Sequence, residues 1–202
     1  MPILIFDCET TGIPIEKRDK KLRYTNNRFY HPKKTKYYDS SRLVELGYGK
    51  ISKVNDSWKF EEPMSRVIYP DNFEINNSEI HGIEHNAALK EGKPFKEVLE
   101  EFKKDLVNVN TVLAYNAQFD INVLLSEAYR YGCTDFIEEF NKKKFICVME
   151  FARKKVKGPY KPHKYKLVNL YNSLFETNIV QKHRAGEDVT MCAKIFAKLN
   201  SM

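Results

Sequence analysis

The sequence lacks any Cys-x-x-Cys pair: its four cysteines, Cys8, Cys133, Cys147 and Cys192, are scattered along the chain. That spacing offers neither a zinc site nor a disulfide framework and points to a reducing interior. No stretch approaches the roughly 20 apolar residues of a membrane span, so no membrane partner is expected. The N-terminus has no basic lead followed by a long apolar run. It reads as no signal peptide, and an intracellular protein, not a secreted one, is expected, with cytoplasm and nucleus equally open. Internal repeats and low-complexity segments are missing too.

What is present fits one folded unit. The chain has 202 residues, 42% of them hydrophobic, enough for a substantial core in a single domain spanning 1–202. Its 34 basic and 27 acidic residues leave a net charge of +7, compatible with a polyanionic partner. The basic residues are uneven. Between Glu16 and Lys36 nine Lys/Arg face two acids, with Tyr24, Phe29 and Tyr30 interleaved. No helical or strand period runs through that stretch, so residues 15–41 read as a basic, aromatic-containing insertion. A second basic loop, KGPYKPHKYK, covers 157–166.

The remaining pattern is that of an α/β fold. Residues 3–7 (ILIFD) read as a buried strand broken by Thr10-Thr11-Gly12-Ile13-Pro14. Strand signals return at 43–49 and 66–70, which makes the first three strands an antiparallel meander. A short helix or turn surrounds Ile80-His81-Gly82-Ile83. Phe95, Val98, Leu99, Phe102 and Leu106 follow a helical period after Gly92 and Pro94. A strand at 111–115, a helix carrying Ile121, Leu124, Leu125 and Tyr129, and a strand at 145–148 follow. Helices at 149–155, 167–174 and 189–199 complete the chain. Strands first and alternation later predict a mixed sheet flanked by helices.

The first strand ends in IFDCETTG. Side chains alternate along a strand, so Asp7 and Glu9 share a face at its C-terminal end and together suit a hard divalent cation. Two further acids open helices: Asp120 in AYNAQFD and Asp188 in HRAGEDV. Each alone is an ordinary helix-start carboxylate.

Taken in order, Asp-x-Glu-Thr-Thr-Gly, Asn-Ala-x-Phe-Asp and His-x-Ala with Asp188 five after His183 resemble the DEDD superfamily of 3′→5′ exonucleases, of the DnaQ type. His183 marks the DEDDh branch; the tyrosine branch would carry Tyr where Arg184 stands. The segments EIHGIEHNAALKEGKPFKEVLEEF and KLVNLYNSLF resemble the family's linking segments. The resemblance runs from Pro2 to about Leu199, apart from 15–41. It implies an RNase H-like exonuclease fold with a central mixed five-stranded sheet. It further implies that Asp7, Glu9, Asp120 and Asp188 hold two Mg2+ or Mn2+ ions and that His183 is the general base. Two such ions about 4 Å apart stabilise both the attacking and the leaving oxygen of a phosphodiester.

Further substrate contacts implied by the resemblance are Thr10 and Thr11 at the 3′-terminal nucleotide, Ile80 and His81 against its base and sugar, and Asn116 and Phe119 lining the cleft. Cys147-Val148 departs from the Asp-Thr that many relatives carry, outside the metal acids. The expected activity is release of nucleoside monophosphates from the 3′ end of single-stranded DNA, since the motif segments look more like the proofreading type. A 3′→5′ exoribonuclease is the alternative, and a non-catalytic nucleic-acid or polymerase-binding module a remote one. A DNA polymerase stands as a conceivable partner, and a dimer is compatible with the family.

Overall fold

The computed structural model of the chain describes residues 1–19, 28–156 and 161–201. Its central strand is β1 (Ile3–Thr10). The strand alternation predicted from ILIFD holds: Leu4, Phe6 and Cys8 enter one core and Ile5 another, on the opposite face of the sheet. Asp7 and Glu9 continue the row of Ile3 and Ile5. Antiparallel to β1 runs β2 (Leu43–Val54), and parallel to its other side β5 (Thr111–Ala114), which pairs in turn with β6 (Lys144–Cys147).

Among the described residues the sheet has six strands, one more than the sequence predicts. Strand β2 runs past Gly49 to Val54 and returns as β3 (Ser57–Phe60); the next strand, β4 (Met64–Val67), pairs with the first half of β2 on the same edge. The hairpin turns at Asn55 and Asp56, both with positive φ (48° and 62°). That is the type I′ geometry whose twist suits tight hairpins and which Asn and Asp tolerate best. The meander of β1, β2 and β4 stands as expected.

Helices cover both faces. Two short ones, α1 (Ser78–His81) and α2 (His85–Glu91), lie in the connection after β4. On one face α3 (Phe95–Leu106), α4 (Ala117–Arg130) and α5 (Thr134–Asn141) pack on Leu4, Phe6, Leu46 and Tyr48. Each apolar position that spaces α3 as a helix is buried. Helix α5 escapes the sequence reading because eight residues give it little more than two turns, yet Phe136, Ile137 and Phe140 are buried. On the other face α6 (Val148–Lys155), α7 (Leu167–Phe175) and α8 (Ala185–Asn200) pack on Ile5, Ile51 and Leu113. No helix among the described residues is long and apolar enough to cross a membrane.

The described part of the 15–41 segment is ordered by backbone pairing. Glu16 and Phe29 form an antiparallel bridge, Ile15 N–H donates to Tyr37 O at 2.9 Å, and Thr35–Tyr38 is a 3-10 turn. Residues 20–27, Tyr24 among them, lie outside the described residues, as do 157–160 of the second basic loop.

One glycine brings the site together. Gly47 stands opposite Asp7 on β2. A Cβ built there meets the Ala185 carbonyl carbon at 2.4 Å and the Gly186 nitrogen at 2.7 Å, both backbone atoms at the start of α8. The missing side chain is what lets the end of α8 that bears Asp188 reach the sheet. Gly47→Ala is therefore expected to cost about 3 kcal/mol by overpacking and to reduce activity through displacement of Asp188. Chemical denaturation and a cleavage assay of the variant check both.

Candidate active site

The C-terminal end of β1 and the N-termini of α4 and α8 meet at one cleft. That is where open α/β sheets place their ligands. The cleft, about 380 Å³, is lined by Asp7, Glu9, Thr10, Ile13, Ile80, Asn116, Phe119, Asp120, Gln181, His183 and Asp188, among others. All four acids and the histidine singled out in the sequence thus come together, with Thr10, Ile80, Asn116 and Phe119 around them.

Backbone geometry fixes each acid. Asp120 is buried in the first turn of α4, and its Oδ1 accepts the Cys8 N–H at 3.1 Å, which ties the helix to the strand between Asp7 and Glu9. Asp188 is buried in the first turn of α8; its Oδ2 accepts from the Gln181 side-chain amide, whereas its buried Oδ1 has no partner among the described residues. Ligand atoms of Glu9, His183 and Asp188 lie within 4.8 Å of one another. His183 holds a left-handed backbone conformation (φ 51°), strained for a non-glycine residue and of the kind that clusters at functional sites.

Such crowding is electrostatically costly. Burial, then the neighbouring carboxylates, push Glu9 up to about 9. Burial also raises Asp120 and Asp188 to about 7, against the opposing hydrogen bonds from Cys8 and Gln181. Asp7 lies well above the ordinary range, first through burial and then through Asp120, Asp188 and Glu9. His183 moves down, through burial and then Lys166. Four crowded carboxylates and an orphaned buried carboxylate oxygen fit a hard divalent cation, which would relieve both the repulsion and the missing bond.

Two expected contacts fall elsewhere. Thr11 does not line the cleft: its Oγ1 accepts the Arg42 N–H and its own N–H donates to Arg42 O, both at 2.9 Å. His81 is buried, its Nδ1 accepting the Ile83 N–H at 3.1 Å and its Nε2 facing Asn77 Oδ1 at 3.3 Å. It shapes the turn after α1 while its neighbour Ile80 faces the cleft. Asn77 in turn donates to Thr10 O at 2.9 Å and so fixes that turn to the end of β1.

Beside the cleft lies a fifth acid that the sequence reading passed over. Glu45 stands opposite Glu9 in the register and is fully buried. Its carboxylate accepts from Arg184 Nε at 3.1 Å, from the Ala185 N–H at 2.9 Å and from Ser65 Oγ at 2.7 Å. Burial alone would raise Glu45, but those hydrogen bonds outweigh it and hold the carboxyl below the usual range. The pair anchors the residue directly after His183 to β2. The signal was a charge inside the apolar strand LVELG, where a core residue belongs.

A family model described as an exonuclease of the RNase T type matches residues 4–196. A comparison with curated protein sequences finds no match. Among solved structures the chain is similar to exonuclease X in complex with 5′-overhanging duplex DNA, with 19% identity, 98% of this chain and 92% of that one covered, and a TM-score of 0.57. It is also similar to E. coli exonuclease I in complex with a dA16 oligonucleotide, at 16% identity and a TM-score of 0.68, covering 99% of this chain but only 41% of that one. A third is the nuclease domain of 3′hExo, a DEDDh family member bound to rAMP, at 12% identity and a TM-score of 0.65, with 99% and 92% covered. These likenesses share the RNase H-like exonuclease fold. With the family model spanning nearly the whole chain, the protein belongs to the exonuclease family.

Proposed function

We propose that the protein is a metal-dependent 3′→5′ exonuclease that removes nucleoside monophosphates from the 3′ end of single-stranded DNA. The observation that carries this is the convergence of Asp7, Glu9, Asp120, Asp188 and His183 on one cleft, with the acids raised by burial first and by neighbouring carboxylates second. The four carboxylates would hold two Mg2+ or Mn2+ ions, which supply charge neutralisation to the attacking and leaving oxygens of the phosphodiester. His183, held on the neutral side by burial and Lys166, has a free lone pair near pH 7. It accepts a proton from the water that attacks phosphorus as the bond to the 3′ oxygen breaks. Half-exposed Ile80 and the Phe119 ring face the cleft from opposite elements and supply apolar walls for the terminal base. Asn116 and Thr10 line the same cleft and are the residues proposed to contact its sugar and phosphate. Arg184 and Glu45 hold the His183 segment in place.

Two of the similar structures hold DNA, which supports a DNA substrate. The third holds rAMP, and that observation keeps a 3′→5′ exoribonuclease as the second reading. Matched 5′-labelled single strands of DNA and RNA, incubated with Mg2+ or Mn2+, test both. The expected result is a ladder shortening from the 3′ end, faster on DNA and lost in EDTA. A faster RNA ladder would favour the second reading, and the loss of label as a mononucleotide at the outset would overturn the polarity.

A further inference from the structure

We propose that residues 28–38 form a track for single-stranded nucleic acid, leading the substrate strand out of the cleft along α4. This rests on the nuclease reading and extends it to a surface outside the acids. The track is joined to the cleft at one end. Phe29 is buried, and its ring packs edge-on against Phe119, a wall of the cleft, with centroids 6.3 Å apart. It then follows α4 away from the acids. The His31 ring lies 6.1 Å from that of Tyr129, and Arg130 donates to Thr35 O at 3.1 Å and to Asp39 Oδ1 at 2.7 Å. Phe119 and Arg130 are eleven residues apart on α4, about 16 Å at the helical rise. That length accommodates about five stacked nucleotides at 3.4 Å each.

The surface of this segment has the chemistry of a polyanion site. Lys33, Lys34 and Lys36 are exposed, and none is ion-paired with an acid among the described residues. The nearby acids are already matched by other cations, Glu16 by Arg28 and Asp39 by Arg130. With Thr35 and Tyr37, the three lysines line a shallow hollow of about 410 Å³. Tyr30 and Tyr37 stack at 3.7 Å with planes 14° apart, both partly exposed, and Lys36 Nζ lies 5.2 Å from the Tyr37 ring. Between them and the acids stand Ile13 and Ile15, 61% and 51% exposed, Ile13 on the cleft itself. Apolar and aromatic faces near the cleft, then unpaired cations further out, match base stacking followed by phosphate neutralisation.

The test compares the wild type with the triple variant Lys33→Ala, Lys34→Ala, Lys36→Ala in EDTA, where cleavage cannot interfere. Fluorescence anisotropy reads binding of a 5′-labelled trinucleotide and of a 20-mer at several salt concentrations. The expected result is a loss on the order of tenfold for the 20-mer at low salt. Its salt slope should also fall by about 2, for three phosphates at 0.7 each, with trinucleotide binding unchanged. Equal affinity and an unchanged slope on the 20-mer would overturn the track, as would an equal loss on both lengths. Failure of the wild type to cleave any strand in Mn2+ would sink the nuclease reading instead, without touching the binding result.

Discussion

Asp188→Asn is expected to lower cleavage on the order of 1000-fold or more while the protein folds as well as before. The carboxylate has one oxygen bonded to Gln181 and one buried without a partner among the described residues, so burial leaves its charge a net cost in the metal-free chain. An amide of the same shape keeps the Gln181 bond and removes one charge from a crowded cluster. The cost therefore falls on catalysis. Losing one ligand forfeits several kcal/mol of transition-state stabilisation, at about 1.4 kcal/mol per tenfold in rate. Folding should be unharmed, and in EDTA at pH 8 the variant should melt at or above the wild-type temperature. Steady-state cleavage of a labelled oligonucleotide beside a thermal melt measures both. Activity within tenfold of wild type would remove Asp188 from the site, and a sharply lower melting temperature would mean that its role is structural.

Raising the pH from about 5 to about 9 is expected to destabilise the metal-free protein by several kcal/mol. Unfolded carboxylates titrate near 4, whereas Asp120 and Asp188 titrate near 7 and Glu9 near 9 in the fold. Across that window the native state keeps protons that the unfolded chain has released, so the unfolding free energy falls as pH rises. Below about 4 both states are protonated and the effect ends. Glu45 has the opposite shift, held low by its hydrogen bonds; its contribution is complete by pH 5 and is flat across the window. His183, lowered by burial and Lys166, works the other way, its contribution growing as pH rises toward the unfolded histidine value near about 6.5 and staying constant above it. Urea unfolding in EDTA at pH 5, 7 and 9 reads the sum. A stability that rises steadily to pH 9 would mean that the four acids do not crowd one another as the structure shows.

The parts of this molecule that could be read from sequence are those whose signal is local. ILIFD alternates, so the shared face of Asp7 and Glu9 follows from the pleat alone, and the period of Phe95 to Leu106 fixes α3. Asp120, His183 and Asp188 carry no local signal of that kind; only the resemblance of their motifs to the DEDD exonucleases linked them to that strand end. What escaped was set by distant partners. Glu45 looks like a misplaced charge until Arg184, 139 residues away, closes on it. His81 and Thr11 have the right neighbours for a substrate site, but their polar atoms are taken by the backbone of Ile83 and Arg42. The described part of the 15–41 segment shows no period because its order comes from an isolated bridge, a few backbone hydrogen bonds between distant residues and a 3-10 turn, which leave none. Strand β3 depended on a two-residue turn, Asn55-Asp56, that hides among polar residues.

A single melting experiment bears most directly on the acid cluster as a cation site. The protein is stripped with EDTA at pH 8 and then titrated with Mn2+, beside Asp188→Asn. A ligand at about 100 times its Kd adds about 2.7 kcal/mol to the folded state, which for a chain of this size raises the melting temperature by roughly 5–10 °C. The expected result is that rise in the wild type, saturating with Mn2+, and its loss in the variant. A wild-type melt that ignores Mn2+, with cleavage persisting in EDTA, would contradict the assignment of Asp7, Glu9, Asp120 and Asp188 as the metal-holding carboxylates.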